Sequence, residues 1–246
     1  MESIQDSVIA FWNHPDCVDG YDGPHRPGFD VAGNRAAWRR ELADRLPGAP
    51  AQVLDLGSGT GFLSILLAEL GHDVRGVELA DNMLGLARRK AAQDGLGIRF
   101  EKGDAQDPPG EPGSADVVTC RFLFWTLEDP AALVSAAMRL LRPGGSLVIF
   151  DGIWFPRGWD PESFQDKCWY QWWLSCYSPP VRRRLPLLER NRADKVAALV
   201  AEAGFTDVST GPLEHVERVR AETADESGSH DQCYAVWAAK PGGGAG

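Results

Sequence analysis

The stretch VLDLGSGTGF, residues 53–62, runs an apolar strand into three alternating glycines and then directly into an apolar helix. No other segment constrains the fold as much. Gly57, Gly59 and Gly61 remove the Cβ atoms that would keep a ligand away from the backbone at a strand-helix junction. A strand that turns straight into a helix is also the first half of a parallel crossover unit.

The residues that follow repeat this unit. QVLDL leads to the helix FLSILLAEL, and the strand DVRGVEL to the helix ADNMLGLARRKAAQ. IRFEKGD predicts a third strand and ADVVTCRF a fourth, then the helix PAALVSAAMRLL with Pro130 at its first turn and the strand SLVIFDG. Such alternation predicts a parallel sheet with crossover helices. NRAAWRRELADRL precedes the sheet as a helix, and NRADKVAALVAEAGF follows it as another. TDVSTG and QCYAVWAAK close the pattern as two strands joined by a loop, so the last is expected to pair antiparallel. The expected fold is α/β: a Rossmann-like, seven-stranded, mostly parallel sheet with an antiparallel last strand. It is read as one domain over residues 1–246, with a helical N-terminal lid segment at 1–46. Alternation breaks at residues 153–190, a stretch dense in aromatics and prolines that reads as a cap insertion after strand five.

Charge narrows the partners. A formal net charge of −10 leaves no concentrated basic face for nucleic acid, and VRRRL (181–185) is the only dense basic run. The longest apolar runs are too short to cross a bilayer, and MESIQDSVIAFW lacks a basic region ahead of an apolar stretch, so a cytoplasmic location is expected. Five scattered cysteines offer no metal-ligand spacing, and no metal is expected.

The glycine spacing is G-x-G-x-G rather than the G-x-G-x-x-G of dinucleotide sites, and Asp55 stands just ahead of it. A carboxylate there repels a pyrophosphate and suits a ligand bearing an ammonium group. The lysine of a P-loop is missing, which argues against nucleoside triphosphates.

LDLGSGTG, GVELADNML, KGDAQDPP and LLRPGGSLVIFDG, in that order, make the chain resemble the class I S-adenosylmethionine-dependent methyltransferases, small-molecule type. The resemblance covers about residues 50–150 and 191–240. It implies S-adenosylmethionine as cofactor, held by Asp55, Gly57, Ser58 and Gly59 of the first motif. Glu78 would accept the ribose hydroxyls, with Leu79 beside it. Asp104 and Ala105 would meet the adenine, with Met83 packed on its face. Arg121, with Phe122, follows strand four, where the family presents backbone to the methionine part of the cofactor. CRFLFWTL departs from the Asn/Asp-Pro-Pro-aromatic motif of enzymes that methylate nucleic-acid and glutamine nitrogens, so a small-molecule acceptor is expected.

The segment at 11–30 resembles the leader that such enzymes fold over the cofactor. By that analogy Tyr21 touches the sulfonium or the methionine carboxylate, and Arg26 pairs with that carboxylate. His25 is a candidate general base, since imidazole titrates near physiological pH, with His14 a weaker one. Asp151, at the end of strand five, is another candidate catalytic group. Trp125 and Trp154 are expected to wall the substrate pocket. In CWYQWWLSCY, Trp169, Trp172, Trp173 and Cys176 share one helical face. That face could cover the sheet, meet a second subunit in a homodimer, or roof the substrate; the family favours the roof. Besides methylation of a small molecule, two other readings stand: a cofactor-binding scaffold or regulatory partner that no longer methylates, and a protein methyltransferase.

Overall fold

The computed structural model describes residues 3–22, 32–155, 169–223 and 233–242, with positions 162 and 165 besides. Seven strands form one sheet in the order β3-β2-β1-β4-β5-β7-β6. They are β1 (Gln52–Leu56), β2 (Asp73–Glu78), β3 (Arg99–Lys102), β4 (Ala115–Arg121), β5 (Leu141–Gly152), β6 (Thr206–Pro212) and β7 (Cys233–Ala239). β1 to β5 run parallel to one another, and β7 is antiparallel to both β5 and β6.

Alternation along the strands explains how the sheet buries both faces. Leu54 and Leu56 of β1, Val118 and Cys120 of β4, and Leu147 and Ile149 of β5 share one apolar cluster. Helices α6 (Pro130–Leu140) and α9 (Ala193–Glu202) complete that cluster through Leu133, Val134, Val196 and Val200. Val53, Val117, Val148 and Phe150 point the other way, toward α3 (Ala32–Arg45), α4 (Phe62–Glu69) and α10 (Glu214–Thr223). Local signals fix the helix starts. Asp129 accepts the Ala132 N–H at 3.0 Å in front of Pro130, and α5 (Asp81–Gln93) carries Asp81 in its first turn.

The structure departs from expectation at both ends of the chain. Of the segment at 11–30, read as a glycine- and proline-rich loop, Pro15–Asp22 is helical as α2, and α1 (Ile4–Trp12) precedes it. A reciprocal capping box between Ser3 and Asp6 starts α1. The join between β6 and β7, read as a loop, holds α10. A buried Glu41 of α3 accepts the His215 N–H at 2.6 Å near the start of α10, which pins that helix under the sheet. β7 remains antiparallel because the connection returns to the same end of the sheet.

A third apolar cluster stands apart from the sheet. It joins Ile4 and Phe11 of α1 and Cys17 of α2 to Trp173, Cys176 and Tyr177 from α7 (Tyr170–Cys176) and its C-cap. Val181 of α8 (Pro179–Arg182) and Trp125, after β4, close it.

Candidate active site

A cavity opens at the carboxyl ends of β1, β2 and β4, where open α/β sheets bind ligands. The glycine turn forms one wall. Gly57 has φ of 65° and Gly59 φ of 55°, left-handed values that suit glycine. A Cβ on Gly57 would stand 2.7 Å from Leu123 Cδ2, whereas one on Gly59 would meet only the Tyr21 ring edge, at 3.9 Å. The backbone at Gly59 therefore faces the cavity directly.

Glu78, at the end of β2, is the first of three carboxylates on the wall, with Asp104 and Glu128. Its Oε1 accepts the N–H groups of Leu79 and Ala80, both at 2.8 Å, and its Oε2 that of Gly59 at 2.9 Å. These bonds tie the glycine turn to the second strand and fix the carboxylate plane. Burial nevertheless raises its pKa, the three N–H bonds opposing the rise. Asp104, in the loop after β3, is the second. Its Oδ1 accepts the Gln106 N–H at 2.9 Å and its Oδ2 the Gln5 side-chain amide at 2.6 Å.

Arg121 closes the far side, its guanidinium 4.5 Å from the Phe62 ring centroid and 4.6 Å from that of Phe122. It donates to the Tyr21 hydroxyl of α2 at 3.3 Å. Phe122 takes φ of 58°, rare for a bulky residue, and is held there by bonds at both of its backbone groups. Its N–H reaches the Phe150 carbonyl at 2.8 Å, and its carbonyl accepts the Trp125 indole N–H at 2.9 Å. The roof is α1 and α2: Ile4, Val8, Ile9 and Trp12 present apolar surface to the space below.

Of the residues singled out from the sequence, Tyr21, Gly57, Gly59, Glu78, Leu79, Met83, Asp104, Ala105 and Arg121 meet on this one cavity. Met83 also packs against Val18 of α2, so it is both wall and core. His25 and Arg26 lie outside the described residues.

Three expectations are corrected by placement. Asp55 is 1% exposed and does not line the cavity; it accepts Ser64 Oγ at 2.5 Å and Thr119 Oγ1 at 3.1 Å, joining α4 to β4. Burial raises its pKa to about 6. Ser58 is buried off the cavity, its N–H on the Val77 carbonyl at 3.0 Å. Asp151 is fully buried and bonded to the N–H groups of Phe124 and Gly152 and the Trp154 indole, at 3.0, 2.8 and 3.1 Å. It holds the loop after β4 against strand five, out of reach of the cavity, with its pKa raised by burial to about 6.

The tryptophans give the largest correction. Among the described residues, the cavity wall includes none of Trp125, Trp154, Trp169, Trp172 or Trp173. They stand behind the roof instead. Trp173 is buried in the third cluster, Trp169 meets Phe11 edge-on at 6.0 Å, and Trp172 donates to the Ala10 carbonyl at 3.2 Å. A Cβ on Gly20 of α2 would stand 3.1 Å from the Trp169 ring, so that helix also rests on the insertion. His14 lies off the cavity against Trp172, ring centroids 5.0 Å apart.

Sequence reasoning missed the roof residues Ile4, Gln5, Val8, Ile9 and Trp12, and Thr126 and Glu128 after β4. The Ser3-x-x-Asp6 capping pattern ahead of an apolar run was the available signal for α1.

Comparison with known proteins bears on this geometry. Residues 54–149, which carry the glycine turn, Glu78, Asp104 and Arg121, match the family described as the methyltransferase domain. Over these residues the chain resembles the class I S-adenosylmethionine-dependent methyltransferases. The domain is similar to the demethylmenaquinone methyltransferase of Thermus thermophilus, 40% identical over 124 residues, 49% of this chain and 56% of that protein. It also resembles the ubiquinone biosynthesis O-methyltransferase of Xanthomonas euvesicatoria, 35% identical over 129 residues, 52% of this chain and 53% of that protein. The chain spans about half the length of the curated relatives it matches.

Among solved structures, a Haemonchus contortus phosphoethanolamine N-methyltransferase superposes with a TM-score of 0.68 at 22% identity, over 98% of this chain and 61% of that one. The geranyl diphosphate C-methyltransferase of Streptomyces coelicolor does so with a TM-score of 0.62 at 17% identity, over 96% and 98%. These likenesses are of fold alone and run over nearly the whole chain. Among the described residues, no helix is long and apolar enough to cross a membrane.

Proposed function

We propose that the chain transfers a methyl group from S-adenosylmethionine to a small, largely apolar acceptor. The observation that carries this reading is the single roofed cavity that joins the glycine turn, Glu78 and Asp104 on one side to Arg121 and Tyr21 on the other. The open face of Gly59 and the wall carboxylates of Glu78 and Asp104 fit an adenosine: hydroxyls on Glu78, whose orientation three N–H bonds already fix, and the base against Asp104 and Ala105. Arg121 supplies a cation for the amino-acid carboxylate. When bound, the cofactor brings an activated methyl group on its sulfonium.

The chain's own contribution is then positioning and exclusion of water. Ile4, Val8, Ile9 and Trp12 close the top of the cavity, and Thr126 and Leu127 border it from the loop after β4. Tyr21 is the residue best set to handle an acceptor proton, being on the wall beside Arg121. The quinone-methylating relatives support an aromatic acceptor, and their biosynthetic names are in keeping with a cytoplasmic setting. The roof favours a small molecule over a protein side chain or nucleic acid, which would need an open groove.

Titration calorimetry with S-adenosylhomocysteine tests the cofactor half of the reading: micromolar or tighter binding is expected, and no binding refutes it. Labelled S-adenosylmethionine with a panel of phenols and quinols tests the other half. Transfer to extract proteins but not to small molecules would establish the protein-methylating alternative, and tight cofactor binding without any turnover the scaffold.

A further inference from the structure

The roof is fastened to the cavity by side-chain bonds at its two ends. At one end, Gln5 of α1 donates its side-chain amide to Asp104 Oδ2 at 2.6 Å. At the other, Asn13, the C-cap of α1, accepts the Asn82 N–H at 2.7 Å on its side-chain oxygen. The Asn82 amide donates back to the Asn13 carbonyl at 2.6 Å. The second fastening satisfies an N–H in the first turn of α5 that helix geometry leaves without an internal partner. The first has no such structural duty. It spends a carboxylate on the cavity wall on a residue of the roof.

Asp104 is held in place without Gln5. Gln106 donates its N–H to Oδ1 at 2.9 Å, and its own side-chain carbonyl accepts the Asp129 N–H at 2.7 Å. The Gln106 side-chain amide also reaches both oxygens at 3.4 Å, so from its own loop Oδ2 has only that long bond and keeps room for a donor from across the cavity. A carboxamide NH₂ and the exocyclic amine of adenine are both neutral, planar N–H donors, and the same oxygen serves either.

We infer that Gln5 is a built-in occupant of the adenine corner, and that cofactor binding exchanges the Gln5 N–H for the adenine amine on Asp104. The inference rests on the cofactor reading above. Releasing Gln5 frees the α1 end at residue 5, while Asn13 and the Trp172 bond to Ala10 hold the other end, so the helix swings about residues 10–13. Gln5 is on this account a specificity-determining residue. A nucleoside that does not offer a donor to Asp104 cannot replace the bond it breaks, and the roof stays fastened against it. The fastened state also lowers the apparent affinity for the right nucleoside by the fraction of molecules that are released.

Titration calorimetry and thermal melting on two variants test this. Gln5→Met keeps length and helix propensity but has no N–H, and Gln5→Lys replaces the amide by an ammonium that grips Asp104 more firmly. Gln5→Met is expected to bind S-adenosylhomocysteine about tenfold more tightly than the wild type while melting at a lower temperature; Gln5→Lys is expected to bind it more weakly. A residue that merely packed in the roof would lower affinity and stability together. Equal or weaker binding by Gln5→Met overturns the inference. The wild-type titration is read first, because its failure removes the cofactor reading itself, whereas wild-type binding with the wrong order among variants removes only the role of Gln5.

Discussion

Replacing Tyr177 by Phe removes one oxygen from the point where roof, insertion and cavity wall meet. Its hydroxyl lies 2.9 Å from Thr126 Oγ1, a cavity-wall residue, and it also bonds the side chain of Trp12 in α1. The ring itself would stay. It stacks on Trp125 at 5.7 Å and 18° and meets Phe11 edge-on at 5.4 Å, and phenylalanine preserves both contacts. What is lost is polar: buried Thr126 and half-buried Trp12 without their bond, a cost of about 2 kcal/mol at the middle of the usual range for unsatisfied groups. For a chain of this size each kcal/mol moves the melting temperature by about 2–4 °C, so calorimetry should register a fall of about 4–8 °C. Burial raises the Tyr177 pKa well above that of an ordinary phenol, so the difference should be the same at pH 6 and pH 9. S-adenosylhomocysteine should bind more weakly, since the roof is anchored through this hydroxyl. Thr126→Val in the same background should add little, because its partner is already gone. Unchanged melting, or fully additive costs of the two substitutions, would refute the idea that the insertion supports the roof through this bond.

Glu78→Ala should weaken S-adenosylhomocysteine binding by tenfold or more in calorimetry, because it removes the proposed ribose acceptor and frees the Gly59 N–H from its bond. Gly57→Ala should destabilise by more than 1 kcal/mol and reduce cofactor affinity, since the new Cβ faces Leu123 at 2.7 Å from a left-handed backbone. Asp55 has a pKa raised from 3.8 to about 6, so the stability it contributes is fully present below pH 3.8 and is lost as pH rises through 6. Denaturation from pH 4 to 7 should show that Asp55→Asn gains on the wild type over this interval; a pH-independent difference would contradict it. Trp172→Ser, at the one large apolar side chain exposed by 38% among the described residues, should leave the sedimentation coefficient unchanged, and dissociation of a dimer would restore the subunit-contact reading of the aromatic face.

The sequence was most informative where function and local backbone geometry coincide. The glycine turn, Glu78 at a strand end and Asp104 after the next strand were legible because each is fixed by its place in a repeating unit. Asp55 was misjudged because strand alternation sends its side chain to Thr119, its register partner on β4, and to Ser64 below the turn. Helical periodicity put Trp169, Trp172, Trp173 and Cys176 on one face of α7, of which Trp173 and Cys176 are buried and Trp172 is exposed, and it carried no information about what would cover that face. The covering element, α1, lies far away in the sequence. Gln5 was invisible for the same reason: its partner, Asp104, is 99 residues distant.

The attachment of α1 to α7 has a consequence for how the molecule is made. Trp172 and the carbonyl it holds, on Ala10, are 162 residues apart. During synthesis the apolar side of α1 leaves the ribosome long before its partner exists, and closing so long a loop is entropically slow to be rewarded. The sheet can assemble from neighbouring β-α units in the meantime. α1 is therefore set to dock late, and until then its apolar side is available to chaperones and to other nascent chains.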